Sequence, residues 1–178
     1  MNLLDVTIST VRLLLVPTSL DIKEECFKEF DKEVTVFMAP VPAKTIADTE
    51  EFVNTSRRNM AEGKELVCAI FNKDTKEFLG HAGLHHIDTM TPELGVWIKK
   101  SAHGMHYGSE AMQALKKWAD EHVDYEYILY PVAAVNVASR KIPESLGGKV
   151  IREYEKANGA GKKMSWVDYR IYKKEFGI

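Results

Sequence analysis

Cysteine is scarce in this sequence. Only Cys26 and Cys68 occur among 178 residues, and neither forms a C-x-x-C pair or stands beside metal-ligand residues. A disulfide framework is therefore not expected, nor is a cysteine-based metal site. We expect both thiols to be small buried side chains in a protein of the reducing cytoplasm.

An excess of one charge and long apolar runs are also lacking. Lys and Arg number 24 and Asp and Glu 26, a net charge of −2, which does not favour nucleic acid as a partner. No apolar run approaches the ~20 residues that span a membrane, and residues 1–10 do not resemble a signal peptide. With 45% hydrophobic residues, the chain is expected to fold as one domain over residues 1–178. A monomer and a homodimer both remain open.

The two best-known phosphate loops are missing from the glycine-containing stretch at Gly104 and Gly108. Three residues separate these glycines, and Ser109 and Glu110 follow, so neither G-x-x-x-x-G-K-[ST] nor G-x-G-x-x-G is present. The surrounding stretch, Glu93–Val123, still predicts a strand, a basic turn and a helix. A helix N-terminus with nearby glycines suits a phosphate or pyrophosphate. Lys99 and Lys100 are expected to add mobile positive charge.

The loop His103-Gly104-Met105-His106-Tyr107-Gly108 resembles the acetyl-coenzyme A loop of the GNAT acetyltransferases, [QR]-x-x-G-x-[GA]. His103 stands where that family usually has Gln or Arg, and His106 where it usually has Gly. The preceding residues, Glu93–Ile98, resemble the corresponding segment in the branch of the family that acetylates the N-termini of ribosomal proteins.

A second signature supports the same resemblance. The segment Asn136–Gly147 is similar to the family pattern N-x-x-S-x-x-[IVL]-x-E-x-[LI]-G, with Ser139 and Glu144 among the matching positions. The early segment Arg12–Pro17 resembles the first strand of many family members. The two signatures occur in the family's order, so together they are more specific than either alone.

The pattern of apolar residues and turn signals predicts an α/β fold. The resemblance implies one mixed, mostly antiparallel sheet with helices on both faces, splayed between its fourth and fifth strands, where the coenzyme enters. The apolar segment Val36–Met38 is expected either to pack over the core or to form a wall of an acceptor pocket. The predicted strands are 10–17, 65–71, 78–88, 93–98, 125–132, 149–155 and 163–173, and the predicted helices are 20–30, 45–60, 109–123 and 136–146.

The resemblance implies how acetyl-coenzyme A is bound. Loop amides from Met105 to Ser109 would hold the pyrophosphate, the backbone from Trp97 to Lys99 would pair with the pantetheine arm, and Asn136 would meet that arm from the other side. Lys141 or Arg140 would reach a phosphate. The implied coenzyme-binding residues are Trp97, Ile98, Lys99, His103, Gly104, Met105, His106, Tyr107, Gly108, Ser109, Asn136 and Lys141.

Acetyl transfer to an amine needs a neutral amine and a proton for the departing thiolate. Glu93 is the first candidate for the base, and His85 or His86 is the second. Ser139 is the candidate that protonates the thiolate. For each of these side chains a purely structural role remains an alternative. No metal is expected to take part.

The resulting expectation is an acetyl-coenzyme A-dependent N-acetyltransferase that acts by direct transfer. Its acceptor is a primary amine, either a protein N-terminus or a small amine, amino acid or antibiotic. Two alternatives stay open at this point. One is a regulatory protein that binds acyl-coenzyme A without turnover, and the other is a nucleotide binder that uses the same helix start.

Overall fold

A computed structural model describes residues 1–173 of the chain. Its strands form one eight-stranded sheet in the order β1-β2-β3-β4-β5-β6-β8-β7. All neighbouring strands are antiparallel except β5 and β6, which are parallel. The strands are β1 Ile8–Ser9, β2 Leu13–Pro17, β3 Leu66–Asn72, β4 Phe78–His85, β5 Glu93–Ile98, β6 Ile128–Ala133, β7 Lys149–Ala157 and β8 Lys163–Ile171. The α-helices are α1 Lys23–Glu29, α2 Ile46–Glu62, α3 Tyr107–His122 and α4 Val137–Ser145.

The helices cover both faces of the sheet. On one face His81 of β4 contacts Cys26 of α1 and Phe52 of α2. On the other face Val96 and Ile98 of β5 lie against the start of α3. Side chains alternate between the two faces of a strand, so odd-numbered residues of β5 face α1 and α2, and even-numbered residues face α3. The expected α/β sheet with helices on both faces is confirmed.

The main core lies between the sheet and α3. It contains fully buried Leu13, Ile70, Leu84 and Leu115 together with other apolar side chains. A smaller core of Ile22, Cys26, Ala69 and Phe78 lies under α1. Together they fix the strands that border the site. No helix among residues 1–173 is long and apolar enough to cross a membrane.

The sheet opens between β5 and β6. These strands share a single register pair, Glu93 with Leu129, and the Leu129 N–H donates to the Pro92 carbonyl. N–H directions alternate along a strand, so Pro131 stands where an N–H would otherwise point into the opening. Because proline has no N–H, β6 can diverge from β5 here without leaving a backbone donor unpaired. The expected splay is confirmed.

Local signals placed several helix ends correctly. Thr45 caps α2 in a capping box with Asp48, and Gly63 follows its end with φ of +75°. The Asn136 side chain accepts from the Ser139 N–H at the start of α4. Gly147 has φ of +81° just after that helix.

The first third of the chain differs from the predicted elements in two ways. The short strand β1 was not predicted, and the helix predicted over 20–30 is divided into a 3₁₀ turn, Leu20–Ile22, and α1. Phe27 of α1 is 36% exposed. Phe52 of α2 is 42% exposed because it lines a cavity rather than the core.

Candidate active site

Two cavities meet at the opening between β5 and β6. One, of about 500 Å³, lies beside the start of α3. The other, of about 560 Å³, lies on the face covered by α1 and α2. Their shared lining residues are Phe37, Met38, Val96, Trp97, Asn136 and Ser139. A ligand in the first cavity can therefore reach a second ligand in the other. We call them the helix-side cavity and the inner cavity.

The start of α3 forms the closed end of the helix-side cavity. No side chain caps this helix, and its first backbone bond to the preceding turn runs from the Glu110 N–H to the His106 carbonyl. The N–H groups of Tyr107, Gly108 and Ser109 precede that bond and have no partner within the helix. These amides and the helix dipole suit an anion.

Gly104 and His106 both adopt left-handed backbone conformations, with φ of +80° and +62°. Glycine accepts this region freely, whereas a residue with a Cβ is strained there. The site where the family pattern has glycine is thus one where the backbone itself favours glycine. His106 occupies it at a cost in backbone energy.

A cluster around Glu110 holds this loop to the first strands. The Glu110 carboxylate accepts from the Thr10 hydroxyl at 2.6 Å, the Arg12 backbone N–H at 3.0 Å and the Arg12 Nε at 2.7 Å. The same guanidinium donates to the Met105 carbonyl at 3.0 Å and lies over the Tyr107 ring. Sequence analysis missed this cluster because about a hundred residues separate its members.

The backbone of β5 offers polar groups to the opening. The Lys99 N–H donates to Leu79 of β4, whereas the Pro92 carbonyl faces β6. By the alternation of N–H and C=O directions, Val96 and Ile98 present theirs to the opening. The imidazole Nε2 of His103 lies 2.7 Å from the Ile98 carbonyl, so one of these groups already has a partner.

The expectation that Lys99 supplies mobile charge was wrong. Its side chain is buried, 8% exposed, and its Nζ lies 2.5 Å from Glu77. The backbone N–H of Lys99 donates to Leu79 of β4, and Trp97 is likewise paired with His81 of β4. The backbone groups of both residues therefore point away from the opening. Lys100 is exposed and lines the helix-side cavity. Its Nζ has only a long contact, 3.9 Å, with exposed Glu33, so the mobile cation before the loop is Lys100 rather than Lys99.

Of the two basic residues on α4, Lys141 is exposed and lines the helix-side cavity. Arg140 is held within the protein, since its Nε donates to the Tyr169 hydroxyl at 2.9 Å and its Nη1 to the Ala134 carbonyl. Of these two residues, only Lys141 presents its charge to the helix-side cavity.

Glu93 and His85 lie side by side in the inner cavity. They are direct partners in the register of β4 and β5, and both line the cavity wall. Burial raises the pKa of Glu93 above its usual 4.5, while the charge of His85 opposes that change. A carboxylate that binds a proton more readily is a better base.

His85 is held in a fixed orientation. Its Nδ1 lies 2.9 Å from a carboxylate oxygen of Glu65. A Cβ on Gly83 would come within 2.4 Å of its Nε2, so the absence of a side chain at Gly83 makes room for the ring. Glu65 was not singled out from the sequence. It binds one ring nitrogen and leaves Nε2 facing the cavity.

His86 lies elsewhere. Strand β4 ends at His85, and His86 is exposed with φ of +56°. His86 therefore lies outside the strand that holds His85, and it does not line either cavity.

Ser139 lies where the two cavities meet. Its hydroxyl is 3.2 Å from the hydroxyl of Tyr130, a buried residue of β6. Burial raises the pKa of Tyr130 to about 12, so this phenol stays protonated at neutral pH. Sequence analysis missed Tyr130, for which the available signal was a tyrosine in the strand predicted to border the coenzyme.

His81 and the cysteines are structural. The buried His81 ring lies 2.9 Å from the Thr18 hydroxyl, and burial lowers its pKa to about 3, so it stays neutral. Burial raises the thiol pKa values of Cys26 and Cys68 to about 12, which makes both poor nucleophiles. Within residues 1–173 no group of three or more His, Cys, Asp or Glu side chains could hold a metal ion.

Comparison with known families decides between the alternatives left open by the sequence. Residues 12–149 match the family model described as the acetyltransferase (GNAT) domain. The chain belongs to the GNAT acetyltransferase family. It is accordingly an acyltransferase that depends on acetyl-coenzyme A, and the nucleotide-binder and silent-regulator alternatives are set aside.

Similar proteins support the same family. An uncharacterised N-acetyltransferase p20 of Bacillus licheniformis is 28% identical over 86% of this chain and 89% of its own. The solved acetyltransferase of Salmonella typhimurium that modifies the N-terminal serine of ribosomal protein L7/L12 has a TM-score of 0.82 at 15% identity, covering 95% of this chain and 100% of its own. A microcin C7 self-immunity acetyltransferase, solved with acetyl-CoA and AMP, has a TM-score of 0.78 at 19% identity, covering 92% and 93%. At such identities these structures show the shared GNAT fold.

Proposed function

We propose that this GNAT acetyltransferase transfers acetyl directly from acetyl-coenzyme A to a primary amine. The observation that carries the proposal is the opening between β5 and β6. It joins the uncapped start of α3 to a cavity that contains Glu93 and His85. The coenzyme occupies the helix-side cavity and the amine occupies the inner cavity.

The residues of the helix-side cavity fit the coenzyme. The first amides of α3 receive the pyrophosphate, where Gly104 leaves open space in place of a Cβ. Lys141 and Lys100 offer charge to a phosphate. The free groups of Val96 and Ile98 pair with the amides of the pantetheine arm. Asn136, Ala138 and Ser139 form the opposite wall.

The inner cavity holds the amine and its base. The attacking nitrogen forms a bond to the thioester carbonyl carbon and loses one proton, which Glu93 or His85 accepts. Glu93 has the stronger support, because burial raises its pKa toward the working range. His85 is the alternative acceptor of that proton, because Glu65 binds its Nδ1 and leaves its Nε2 available.

The carbon–sulfur bond breaks as the new carbon–nitrogen bond becomes an amide, and the sulfur leaves as a thiolate. Ser139 donates a proton to that sulfur and takes one from Tyr130, whose hydroxyl it contacts. Tyr130 recovers its proton from solvent after the products leave. One proton leaves the amine and one reaches the sulfur.

The first test is thermal unfolding with acetyl-coenzyme A, coenzyme A, ATP and NAD in parallel. A ligand at 100 times its dissociation constant adds about 2.7 kcal/mol of stability. We expect stabilisation by the two coenzyme A forms alone, followed by amine-dependent release of free thiol. Equal stabilisation by ATP, or coenzyme binding without product for any amine, would overturn the proposal.

A further inference from the structure

The inner cavity carries information about its acceptor. From its lining we infer that the acceptor is a small primary amine with an apolar, aryl or alkyl body and without a carboxylate. This inference rests on the proposed function, since it assigns the inner cavity to the acceptor. At about 560 Å³ the cavity is within the usual size for small-molecule sites.

The walls of the inner cavity are largely apolar. Phe30 and Trp97 pack together with ring centroids 5.0 Å apart, and Phe37 and Phe52 line the cavity while 37% and 42% exposed. The segment 37–41 closes one side, and Ala39 accepts from the Gly159 N–H of the β7–β8 turn at 2.8 Å. Such walls stabilise an apolar body that leaves water.

The charges of the cavity exclude a carboxylate. Among residues 1–173 none of the lining residues is Lys or Arg, whereas Asp48 and Glu93 are acidic. An acceptor carboxylate would lose water without gaining a Lys or Arg partner, and the one cationic candidate in the lining, His85, is already bonded to Glu65, so its burial is costly. An amino group suits the same acidic lining before it releases its proton. Free amino acids are therefore disfavoured relative to simple amines.

Most polar side chains of the cavity are already hydrogen-bonded within the protein. Asp48 accepts from the backbone of Lys44 and Thr45, and His81 is bonded to Thr18. Glu93 and the Nε2 of His85, which have no such bond among residues 1–173, lie side by side on neighbouring strands. The amide of Asn136 stands apart from them, where the two cavities meet.

The inner cavity has one polar end, at Glu93 and His85, and is otherwise largely apolar. This distribution matches a ligand with a single amino group. A peptide would also bring backbone N–H and C=O groups into walls with few partners for them. Each unpaired buried group has a cost. A small amine has no such groups and is favoured over a peptide N-terminus.

The test compares four acceptors of one shape. They are 2-phenylethylamine, phenylalanine amide, phenylalanine and a tripeptide that begins with phenylalanine, with kcat/KM expressed per neutral amine and products identified by mass. We expect 2-phenylethylamine to be the best acceptor, and phenylalanine to fall at least about tenfold below its amide. The comparison of the acid with its amide isolates the charge.

A variant of the cavity wall tests the charge argument separately, whatever apolar group the acceptor carries. Val41 lines the inner cavity at its exposed rim and is 38% exposed. Val41→Lys should raise kcat/KM for phenylalanine relative to its amide, because it supplies the missing positive charge. Val41→Gln, of similar length and neutral, should leave that ratio unchanged.

The outcomes separate this inference from the proposed function. Acetylation of phenylalanine or the tripeptide at rates equal to or above the simple amine would overturn the inference and leave N-acetyl transfer standing. Acetylation of other amines but of none of the four would also overturn the inference alone, whereas coenzyme-dependent stabilisation without product for any amine would overturn both. An equal effect of Val41→Lys and Val41→Gln would remove the charge argument.

Discussion

At the scale of single residues, the loop before α3 shows what it costs to have a histidine where the family pattern has glycine. His106 has φ of +62°, a conformation that costs a non-glycine residue about 1 kcal/mol or more. His106 therefore keeps the left-handed backbone conformation that glycine favours and is strained in it.

Replacement of His106 separates the backbone from the ring. We expect His106→Gly to bind coenzyme as tightly as the parent protein or more tightly, because the left-handed conformation costs glycine little. His106→Ala is the matched control, since it lacks the imidazole but keeps the backbone strain. Calorimetric dissociation constants measure both. A loss beyond about tenfold, ~1.4 kcal/mol, in both variants would show that the imidazole itself contacts the coenzyme.

At Glu93, stability and the proposed function conflict. Burial raises its pKa in the folded protein above the usual 4.5, so the folded state holds a proton that the unfolded chain releases. Stability is then lost as pH rises from about 4.5 through the raised pKa, and the ionised group destabilises the fold above it.

We therefore expect Glu93→Gln to lower turnover and to raise stability at neutral pH. Coenzyme binding should be retained, because Glu93 lies in the inner cavity. Denaturant unfolding at pH 4 and pH 7.5 checks the sign: the gain should appear at the higher pH and vanish at the lower one. Full activity in the variant would exclude Glu93 as the base and leave His85.

Ser139 and Tyr130 should behave as a unit in catalysis. Their hydroxyls are 3.2 Å apart, and groups that transfer one proton give non-additive losses when removed. We expect Ser139→Ala and Tyr130→Phe each to lower kcat, with coenzyme binding unchanged, and the double variant to be little worse than Ser139→Ala. Full activity of Ser139→Ala would remove this pair from the mechanism. Losses that multiply in the double variant would show independent roles.

At the scale of elements, the strand β2, the loop and the helix α3 are joined through one carboxylate. Although burial alone would raise the pKa of Glu110, hydrogen bonds from Thr10 and Arg12 lower it below its usual 4.5. The stability that this group contributes is therefore present above about pH 4.5 and lost as pH falls. The cluster sets the position of the amides at the start of α3, to which the proposed function assigns the pyrophosphate.

We expect Glu110→Gln to destabilise the fold by about 1–2 kcal/mol, after allowance for solvent screening, and to raise KM for acetyl-coenzyme A. The rise in KM should exceed any fall in kcat, since Glu110 touches no reacting atom. Glu121→Gln on the same helix is the control, because its partner Lys117 is 74% exposed and the pair is weak. Unchanged coenzyme KM in Glu110→Gln would show that the loop is positioned by its own backbone.

Elements also show what a sequence can and cannot predict. The helix ends at Thr45, Gly63 and Asn136 follow from caps that involve residues close in sequence, so they were predicted. Lys99 was misassigned because its partner Glu77 lies 22 positions away, just before strand β4. The same limit hid Tyr130, Glu65 and the Arg12–Glu110 pair, which depend on how strands are brought together. The pattern of apolar residues identifies elements, but tertiary packing decides which polar groups meet.

At the scale of the whole molecule, the sheet consists of two parts joined by little backbone pairing. Strands β1–β5 form one part and β6–β8 the other, and Glu93 with Leu129 is their single register pair. The resemblance to the family implied this opening, whereas local sequence could not have indicated that β8 lies between β6 and β7. Under the proposed function, a coenzyme in the opening would act as an additional paired chain between the two parts.

This view predicts where coenzyme binding slows amide hydrogen exchange. Acetyl-coenzyme A should protect the amides of Val96 and Ile98, which face the opening, and those at the start of α3. Amides of β3, which is paired on both sides, should exchange slowly with or without ligand and serve as the internal control. Local opening free energies follow from these rates. Protection confined to α3, with β5 unchanged, would mean that the ligand binds through its phosphates alone. The acetyl group would then have no fixed path to Glu93, and the two parts of the sheet would remain independent in the complex.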